Sequence, residues 1–217
     1  MIYKTADIRD QDGYKLLVSL VVPRPIAWVT TVDDEGIVNC GPYSFFNAVS
    51  GDPPVVVIGI GAKTKSTIKD TGINIRANGQ FVVNLVSEDL AEQMNLTAID
   101  FEHGVDELKL AGLSTAPSAV VKPPRIKEAR AALECERIAI LEISADRAIA
   151  VGKVVAFYIQ DDCMQDPAKM YIDTPKLNLV GRMHGRGWYT RTNDRFLMER
   201  IDLGEWTKKH GNPPAPG

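Results

Sequence analysis

The sequence predicts a mainly β protein in which antiparallel strands form a barrel and a few α-helices lie at its edges. Strand-like runs of apolar and β-branched residues dominate the chain. They do not alternate regularly with helical segments, which disfavours a doubly wound parallel sheet. No period of about 20–50 residues repeats, so a solenoid is excluded. The length of 217 residues and the 45% hydrophobic composition suit one large domain with a sizeable core.

Several strand segments support this fold class. Residues 26–32 lead through the turn cluster 33–36 into a second strand-like segment, and this order predicts a β-hairpin. Residues 55–61 are β-branched and bounded by glycine, which is typical of a buried strand. Further strands are predicted at 81–86, 132–144 and 150–160.

Helices are predicted between the strands, at 65–79, 87–99 and 106–113. The first carries isoleucines at helical spacing and ends at Gly79, a typical helix stop. The second begins with Ser87 as its N-cap, followed by acidic residues that favour the positive end of the helix dipole. One domain is predicted over 1–204, with an irregular loop at 161–178 and a Pro/Gly-rich tail at 205–217.

Composition and charge exclude several classes of function. A formal charge of -3 and a pI near 5.7 argue against a nucleic-acid partner. Cys40, Cys135 and Cys163 lie far apart, which predicts neither a disulfide framework nor a metal site and favours a reduced compartment. The N-terminus lacks an apolar signal core, and the longest apolar run, at 16–22, is far shorter than the ~20 residues of a membrane span. We therefore expect a soluble, cytoplasmic protein without a membrane partner.

The segment GIGAKTKST at 59–67 invites comparison with phosphate-binding loops. It lacks the third glycine of G-x-G-x-x-G and the spacing of a P-loop. Its glycines nevertheless leave backbone accessible, and Lys65 and Ser66 stand at the predicted start of a helix, where a phosphate could bind. An ordinary surface helix with solvated lysines explains the same residues.

Two further segments are candidate sites. In PRPIAWVTT at 23–31, a strand end could present backbone groups and threonine hydroxyls to a flat polar ligand, or the strand could be an edge strand with a packed tryptophan. In NCGPYSFFNAVSGDPP at 39–54, two adjacent phenylalanines stand among serine and asparagine side chains that would need partners in a core. A heterocycle with a rim of N–H and C=O groups would suit both kinds of residue.

Hydrolytic motifs are absent from the sequence. There is no G-x-S-x-G elbow and no H-E-x-x-H, and His103 and His210 are predicted to be surface residues. His184 lies in VGRMHGRGWY at 180–189, where a glycine-rich arginine segment could form a simple turn or receive an anionic ligand.

Taken together, these segments resemble the flavin reductase-like, FMN-binding split-barrel family over roughly residues 10–200. The resemblance rests on the segments PRPIAWVTT, GPYSFFNAVSGDPP, VVVIGIG, KSTIKDT, GQFVVNLVSEDLAEQMN, ALECERI and VGRMHGRGWY, in this order. It implies an antiparallel split β-barrel with peripheral helices, FMN as cofactor, and a homodimer that holds FMN near the subunit interface.

The resemblance also implies roles for individual residues. The isoalloxazine and ribityl chain would be bordered by Arg24, Ala27, Trp28, Thr30 and Thr31. The flavin ring edge would meet Ser44, Phe45, Phe46 and Asn47. The phosphate end would be served by Lys65, Ser66, Lys69 and Thr71. The nicotinamide or substrate side would involve Arg182, His184 and Tyr189.

The implied reaction is hydride transfer from NADH or NADPH to flavin N5, then electron delivery to oxygen, ferric iron or a partner monooxygenase. This chemistry belongs to the flavin, and no catalytic side chain is assigned. Two alternatives remain: an FMN-binding electron carrier of the same fold, and a non-enzymatic dimeric module whose Phe45 and Phe46 face is a protein interface.

Overall fold

The structure is a computed structural model that describes residues 1–64, 67–102, 104–185 and 187–212, without the side chains of 63, 64 and 67. The strands are β1 (Ala27–Val32), β2 (Val38–Tyr43), β3 (Phe46–Gly51), β4 (Pro54–Thr64), β5 (Thr67–Ile68), β6 (Gln80–Leu85), β7 (Thr115–Ala116), β8 (Arg125–Ile126), β9 (Ala131–Ser144), β10 (Arg147–Ile159), β11 (Met164–Asp166), β12 (Tyr171–Ile172), β13 (Val180–Arg182) and β14 (Tyr189–Arg191). The α-helices are α1 (Asp10–Leu20), α2 (Asp70–Asn78), α3 (Ala91–Leu96), α4 (Glu107–Leu110) and α5 (Leu203–His210).

The main sheet is antiparallel and follows the order β2-β1-β6-β9-β10-β4-β3, with β5 paired to β4. Its two edge strands, β2 and β3, are separated in sequence by only Ser44 and Phe45. Two residues span at most about 7 Å, so the edges can be joined only if the sheet curls until they meet. The pairings of the described strands do not join β2 to β3. The result is an antiparallel split barrel, as the sequence predicts, and the Ser44–Phe45 turn lies at the split.

Strand β1 is buried on both faces because it separates two apolar clusters. Side chains alternate along a strand, so Ala27 and Val29 point into the barrel, where they pack with Phe81 and Ile58. Trp28 points the other way, into a cluster formed with the helices α3 and α4. Both faces of β1 are therefore closed to solvent.

The predicted strands are confirmed: β4, β9 and β10 are longer than expected, β6 has the expected length, and β1 is one residue shorter. The hairpin β1–β2 pairs Ala27 with Tyr43 and Val32 with Val38. Strands β9 and β10 form the longest pair. Ala131 pairs with Ile159 at one end, and Ser144 pairs with Arg147 at the other. The three cysteines are free and buried, in line with the expectation that they form no disulfide.

The helix predicted at 65–79 begins later than expected, at Asp70. Thr67 and Ile68 instead form β5, which folds back onto the end of β4. The predicted end is confirmed, because Gly79 caps α2 in the left-handed conformation with φ 68°. Gly72 lets α2 pack closely on the sheet: a Cβ there would lie 3.3 Å from a methyl group of Ile60.

Two other predicted helices are shorter than expected. The segment 87–99 forms a 3-10 turn at Glu88–Leu90 followed by α3. Ser87 has the extended backbone of an N-cap, but its side chain makes no capping hydrogen bond, so that part of the prediction is wrong. In the segment 106–113, α4 spans four residues and is capped by the Asp106 carboxylate, which accepts from the Lys109 N–H at 3.0 Å.

The two segments predicted to lack regular structure both contain some. The loop at 161–178 consists of 3-10 turns at Asp161–Cys163, Pro167–Lys169 and Thr174–Leu177 and the small hairpin β11–β12. The predicted tail from 205 includes most of α5, which Asp202 caps through the Glu205 N–H. None of the described helices is long and apolar enough to cross a membrane.

Candidate functional site

The candidate site lies at the split, where two cavities meet at Ser44. One, the Phe45 cavity, has a volume of about 290 Å³ and lies between α1 and the turn after β2. The other, the Tyr189 cavity, has a volume of about 280 Å³ and lies between that turn, α3 and the hairpin β13–β14. Each volume is near the lower end of the range for small-molecule sites. Together they provide room for a ligand larger than either.

The Phe45 cavity combines apolar walls with polar groups at its rim. Leu17 and Val21 of α1 form one wall, and the turn with Phe45 and Phe46 forms another. Phe45 is 41% exposed, which is unusual for a phenylalanine that has a core within reach. The predicted segment is thus neither simple core nor simple loop, and its aromatic surface faces a cavity.

Glycine at position 59 fixes the position of Phe45. The Gly59 N–H donates to the Phe45 carbonyl at 2.7 Å. A Cβ at Gly59 would lie 2.9 Å from the Phe45 Cβ, closer than real Cβ contacts. Only glycine therefore allows the turn to approach β4 this closely, and the approach sets the depth of the cavity.

Asn47 and Ser44 supply hydrogen-bonding groups beside the aromatic wall. The Asn47 Oδ1 accepts from the Ala48 N–H at 2.9 Å, which leaves the amide nitrogen to donate elsewhere. The Ser44 hydroxyl has only a long contact, 3.5 Å, with Arg24 Nε. A flavin ring presents a flat face and an edge of carbonyl and imine acceptors, so the aromatic wall and these donors fit such a group.

Arg24 holds the cavity together. Its Nη1 donates to the carbonyls of Val18 and Val21, at 2.7 and 2.9 Å, and its Nη2 donates to the carbonyl of Met183 at 2.8 Å. The side chain is 5% exposed, and burial followed by the charge of Arg182 lowers the pKa of Arg24. Arg24 was expected to border a ligand; in the structure most of its donors are used by the protein's own carbonyls.

The other predicted residues of β1 are internal. Ala27, Trp28, Thr30 and Thr31 are each 0% exposed. The Trp28 indole donates to the Thr97 hydroxyl at 2.9 Å, and Thr30 donates to the Pro124 carbonyl at 2.6 Å. These side chains lie between the apolar clusters on the two faces of β1, and the expectation that they border a ligand stays a prediction.

The predicted phosphate end is described only in part, since Lys65 and Ser66 lie outside the described residues. Lys69 and Thr71 line a third cavity of about 110 Å³. The Lys69 ammonium is paired with Asp100 at 3.1 Å, and the Thr71 hydroxyl accepts from Asn39 at 2.8 Å.

This third cavity, the Lys69 cavity, is acidic among its described residues. It is lined by the carboxylates Asp70, Asp100 and Glu107. Burial raises the pKa of Glu107, whose carboxylate accepts from the Cys40 N–H at 3.1 Å. Carboxylates repel a phosphate, so these residues alone do not form a phosphate site.

The Tyr189 cavity is lined by Arg182 and Tyr189, the two residues that the resemblance assigns, with His184, to the nicotinamide or substrate side. The Arg182 guanidinium lies over the Tyr189 ring, 4.7 Å from its centroid, across the pairing of β13 with β14. Asn95, at the end of α3, contributes an amide. His184 lies at the tip of the hairpin, with its ring 5.5 Å from that of Trp188, and does not line the cavity.

Sequence reasoning missed three contributors to the site. Leu17 and Val21 lie four residues apart in the apolar run 16–22, a helical spacing that could have indicated α1. Asn95 lay within a predicted helix, and no sequence signal marked it as a site residue.

The fold is an antiparallel split barrel with aromatic and hydrogen-bonding groups at its split, and it indicates the family to which the protein belongs. The chain belongs to the family described as "Flavin reductase like domain", whose model matches residues 19–177.

Known relatives agree with this assignment. An uncharacterized protein from Deinococcus radiodurans is 42% identical over 200 residues, covering 90% of this chain and 88% of that protein. Component B of nitrilotriacetate monooxygenase from Bacillus cereus is 28% identical, with a TM-score of 0.85 over 91% of this chain and 98% of that chain. The 2-nitrobenzoate 2-nitroreductase NbaA from Pseudomonas fluorescens is 33% identical, with a TM-score of 0.85 over 100% of both chains.

Proposed function

We propose that this protein is an FMN-binding oxidoreductase that takes hydride from NADH or NADPH and passes electrons to an acceptor. The Phe45 cavity carries this proposal, because it joins a rigid aromatic wall to unengaged amide and hydroxyl donors at the barrel split. Family membership supports flavin chemistry. A bound FMN would supply hydride acceptance at its N5 atom.

The protein's own residues would bind and orient the ring. Phe45 and Phe46 would pack against the ring, and the amide of Asn47 and the hydroxyl of Ser44 would donate to its polar edge. The buried charge of Arg24 favours negative charge nearby, as preorganised positive groups do in oxyanion sites. Leu17 and Val21 exclude water from one side. No proton has to be moved by a side chain, which fits a site without a paired acid and base.

The acceptor and the assembly are further parts of the proposal. The similarity to a monooxygenase component and to a nitroreductase supports electron delivery either to a partner monooxygenase or to a small molecule. A homodimer would cover apolar side chains that are exposed on β9 and β10, among them Leu141, Ile143 and Phe157.

The test is an absorption spectrum of the purified protein with FMN, before and after anaerobic addition of NADH or NADPH. A flavin spectrum that bleaches with either nucleotide is the expected result. A flavin spectrum that persists with both would favour the electron carrier. Protein that binds no FMN would refute the proposal, and the phenylalanine face would then be tested as an interface through the effect of Phe45→Ala on oligomeric state.

A further inference from the structure

The Tyr189 cavity contains an arginine, Arg182, with which no described carboxylate forms an ion pair. The Arg182 guanidinium stacks on Tyr189, and among the described residues its side chain forms no ion pair or hydrogen bond. Stacking holds the planar fork in place without using its N–H groups. An arginine presented in this way is prepared to bind a carboxylate through two parallel hydrogen bonds.

A second positive charge lies directly behind the first. The backbones of Arg24 and Arg182 exchange hydrogen bonds of 2.9 and 2.8 Å, and the charge of Arg182 contributes to lowering the pKa of Arg24. Arg24 is bound by carbonyl oxygens, which stabilise its charge but do not neutralise it. Neither the Tyr189 cavity nor the Phe45 cavity is lined by a described carboxylate, whereas the Lys69 cavity has three.

The remainder of the Tyr189 cavity offers both apolar and polar surface to a small ring. Pro42 and Ala98 line it with apolar groups, and Asn95 adds one amide. Ile26 and Met94 also border it, but they are buried in the adjoining core. A cavity of about 280 Å³ suits a ligand of about one ring rather than a dinucleotide.

We propose that the Tyr189 cavity is a binding site for a small aromatic carboxylate. The carboxylate accepts from the Arg182 fork, and the ring packs on Pro42 and Ala98. Binding of this ligand to the cavity does not require flavin.

Titration calorimetry on the full-length protein tests this inference, with benzoate as the probe and benzyl alcohol as its neutral analogue. We expect benzoate to bind at least about tenfold more tightly than the alcohol, since charge-assisted hydrogen bonds are strong. Arg182→Gln should abolish this preference. Arg182→Lys should restore part of it, because an ammonium keeps the charge but not the fork.

Arg125→Gln is the matched control, because Arg125 also stacks on a tyrosine, Tyr158, at 3.6 Å, but lies outside this cavity. The control should leave both dissociation constants unchanged. Equal affinity of the wild type for benzoate and benzyl alcohol would overturn the inference. It would also be overturned if Arg182→Gln weakened NADH or NADPH binding but left benzoate binding intact, which would assign Arg182 to a nucleotide phosphate.

Titration of FMN into the same samples separates this inference from the proposed function. Protein that discriminates benzoate but binds no FMN would support the anion site and refute the flavin proposal. Protein that binds and reduces FMN but does not distinguish benzoate from benzyl alcohol would support the flavin proposal and refute the anion site.

Discussion

The buried guanidinium of Arg24 links three segments through carbonyl oxygens. Two of these carbonyls, those of Val18 and Val21, belong to the C-terminal end of α1, where the helix dipole is negative and no basic residue of the helix itself is present. The third, that of Met183, follows β13. Arg24 therefore fixes the wall between the Phe45 and Tyr189 cavities.

The buried threonines on β1 have hydrogen-bond partners that the sequence does not reveal. In the sequence, the hydroxyl groups of Thr30 and Thr31 resemble ligand-binding groups because no neighbouring residue is an evident hydrogen-bond partner. Their partners are distant in sequence: the Pro124 carbonyl for Thr30 and the Asn74 amide, at 3.0 Å, for Thr31. A hydrogen bond between a buried group and a residue distant in sequence cannot be predicted from the local sequence pattern.

Thr97→Val tests whether Trp28 is framework or ligand contact. The substitution removes the acceptor of the Trp28 indole N–H at nearly constant volume and leaves a buried donor unsatisfied. We expect a loss of about 1–3 kcal/mol in the free energy of unfolding, with FMN affinity unchanged. Thermal denaturation and FMN titration measure the two quantities.

Thr192→Val is the control for this change, because the Thr192 hydroxyl makes its bond, to the Leu179 carbonyl, at an exposed position. Its effect on stability should be within about 0.5 kcal/mol. A Thr97→Val protein of unchanged stability that has lost FMN would show that the Trp28 region contacts the flavin after all.

Most strands could be predicted from sequence, whereas the order in which they pair could not. Apolar runs such as 55–61 and 81–86 indicate strands directly, because a buried strand needs β-branched residues. Helix α1 was missed because its apolar run is short and only Val18 is buried. The start of α2 was misplaced because β5 pairs back onto β4, and the local sequence pattern does not indicate this pairing.

The Ser44–Phe45 turn is a site because of this pairing order. Locally it is a mixed polar and aromatic segment, which was sufficient to predict that it binds a flat ligand. Its position at the split follows from the placement of β2 and β3 at opposite edges of the sheet. That placement requires contacts between strands far apart in sequence, such as β10 with β4.

Gly59→Ala tests the close approach of this turn to β4. The added methyl group would meet the Phe45 Cβ at 2.9 Å and push the turn outward. We expect FMN affinity to fall by about tenfold and stability to fall by about 1–3 kcal/mol, as for overpacked sites. FMN titration and chemical denaturation measure these effects.

Gly61→Ala, two residues further along the same strand, is the matched control. The nearest atom to its added Cβ would be the Arg147 Nη1 at 3.3 Å, at the end of a flexible side chain that can move. FMN affinity should therefore be retained. Equal losses of affinity in both variants would show that β4 as a whole, rather than the Phe45 contact, determines binding.

At the scale of the whole molecule, the formal charge of -3 conceals a separation of charge between cavities. Carboxylates surround the Lys69 cavity, whereas Arg24 and Arg182 lie at the Phe45 and Tyr189 cavities. Composition reports only the sum of charges, so this separation could not be predicted. Such a separation would favour anionic ligands at the split over the Lys69 cavity.

The acidic cavity should also make global stability depend on pH through Glu107, which is 9% exposed. Burial, and then the charges of Asp70 and Asp106, raise the pKa of Glu107. The folded protein therefore binds this proton more tightly than the unfolded chain does. The stabilisation from this group is complete below the unfolded pKa and is lost as pH rises through the higher folded pKa.

Glu107→Gln removes this titration and keeps an oxygen that can accept from the Cys40 N–H. We expect the Tm of the variant relative to the wild type to increase as pH rises from about 4 to neutral. Differential scanning calorimetry across that range measures the difference, and Glu136→Gln at an exposed position of β9 controls for the loss of a carboxylate outside the cavity. A relative Tm of Glu107→Gln that is constant or falls with pH would mean that Glu107 gains enough from its hydrogen bonds to offset its burial. The Lys69 cavity would then stabilise the ionised form of Glu107 at neutral pH.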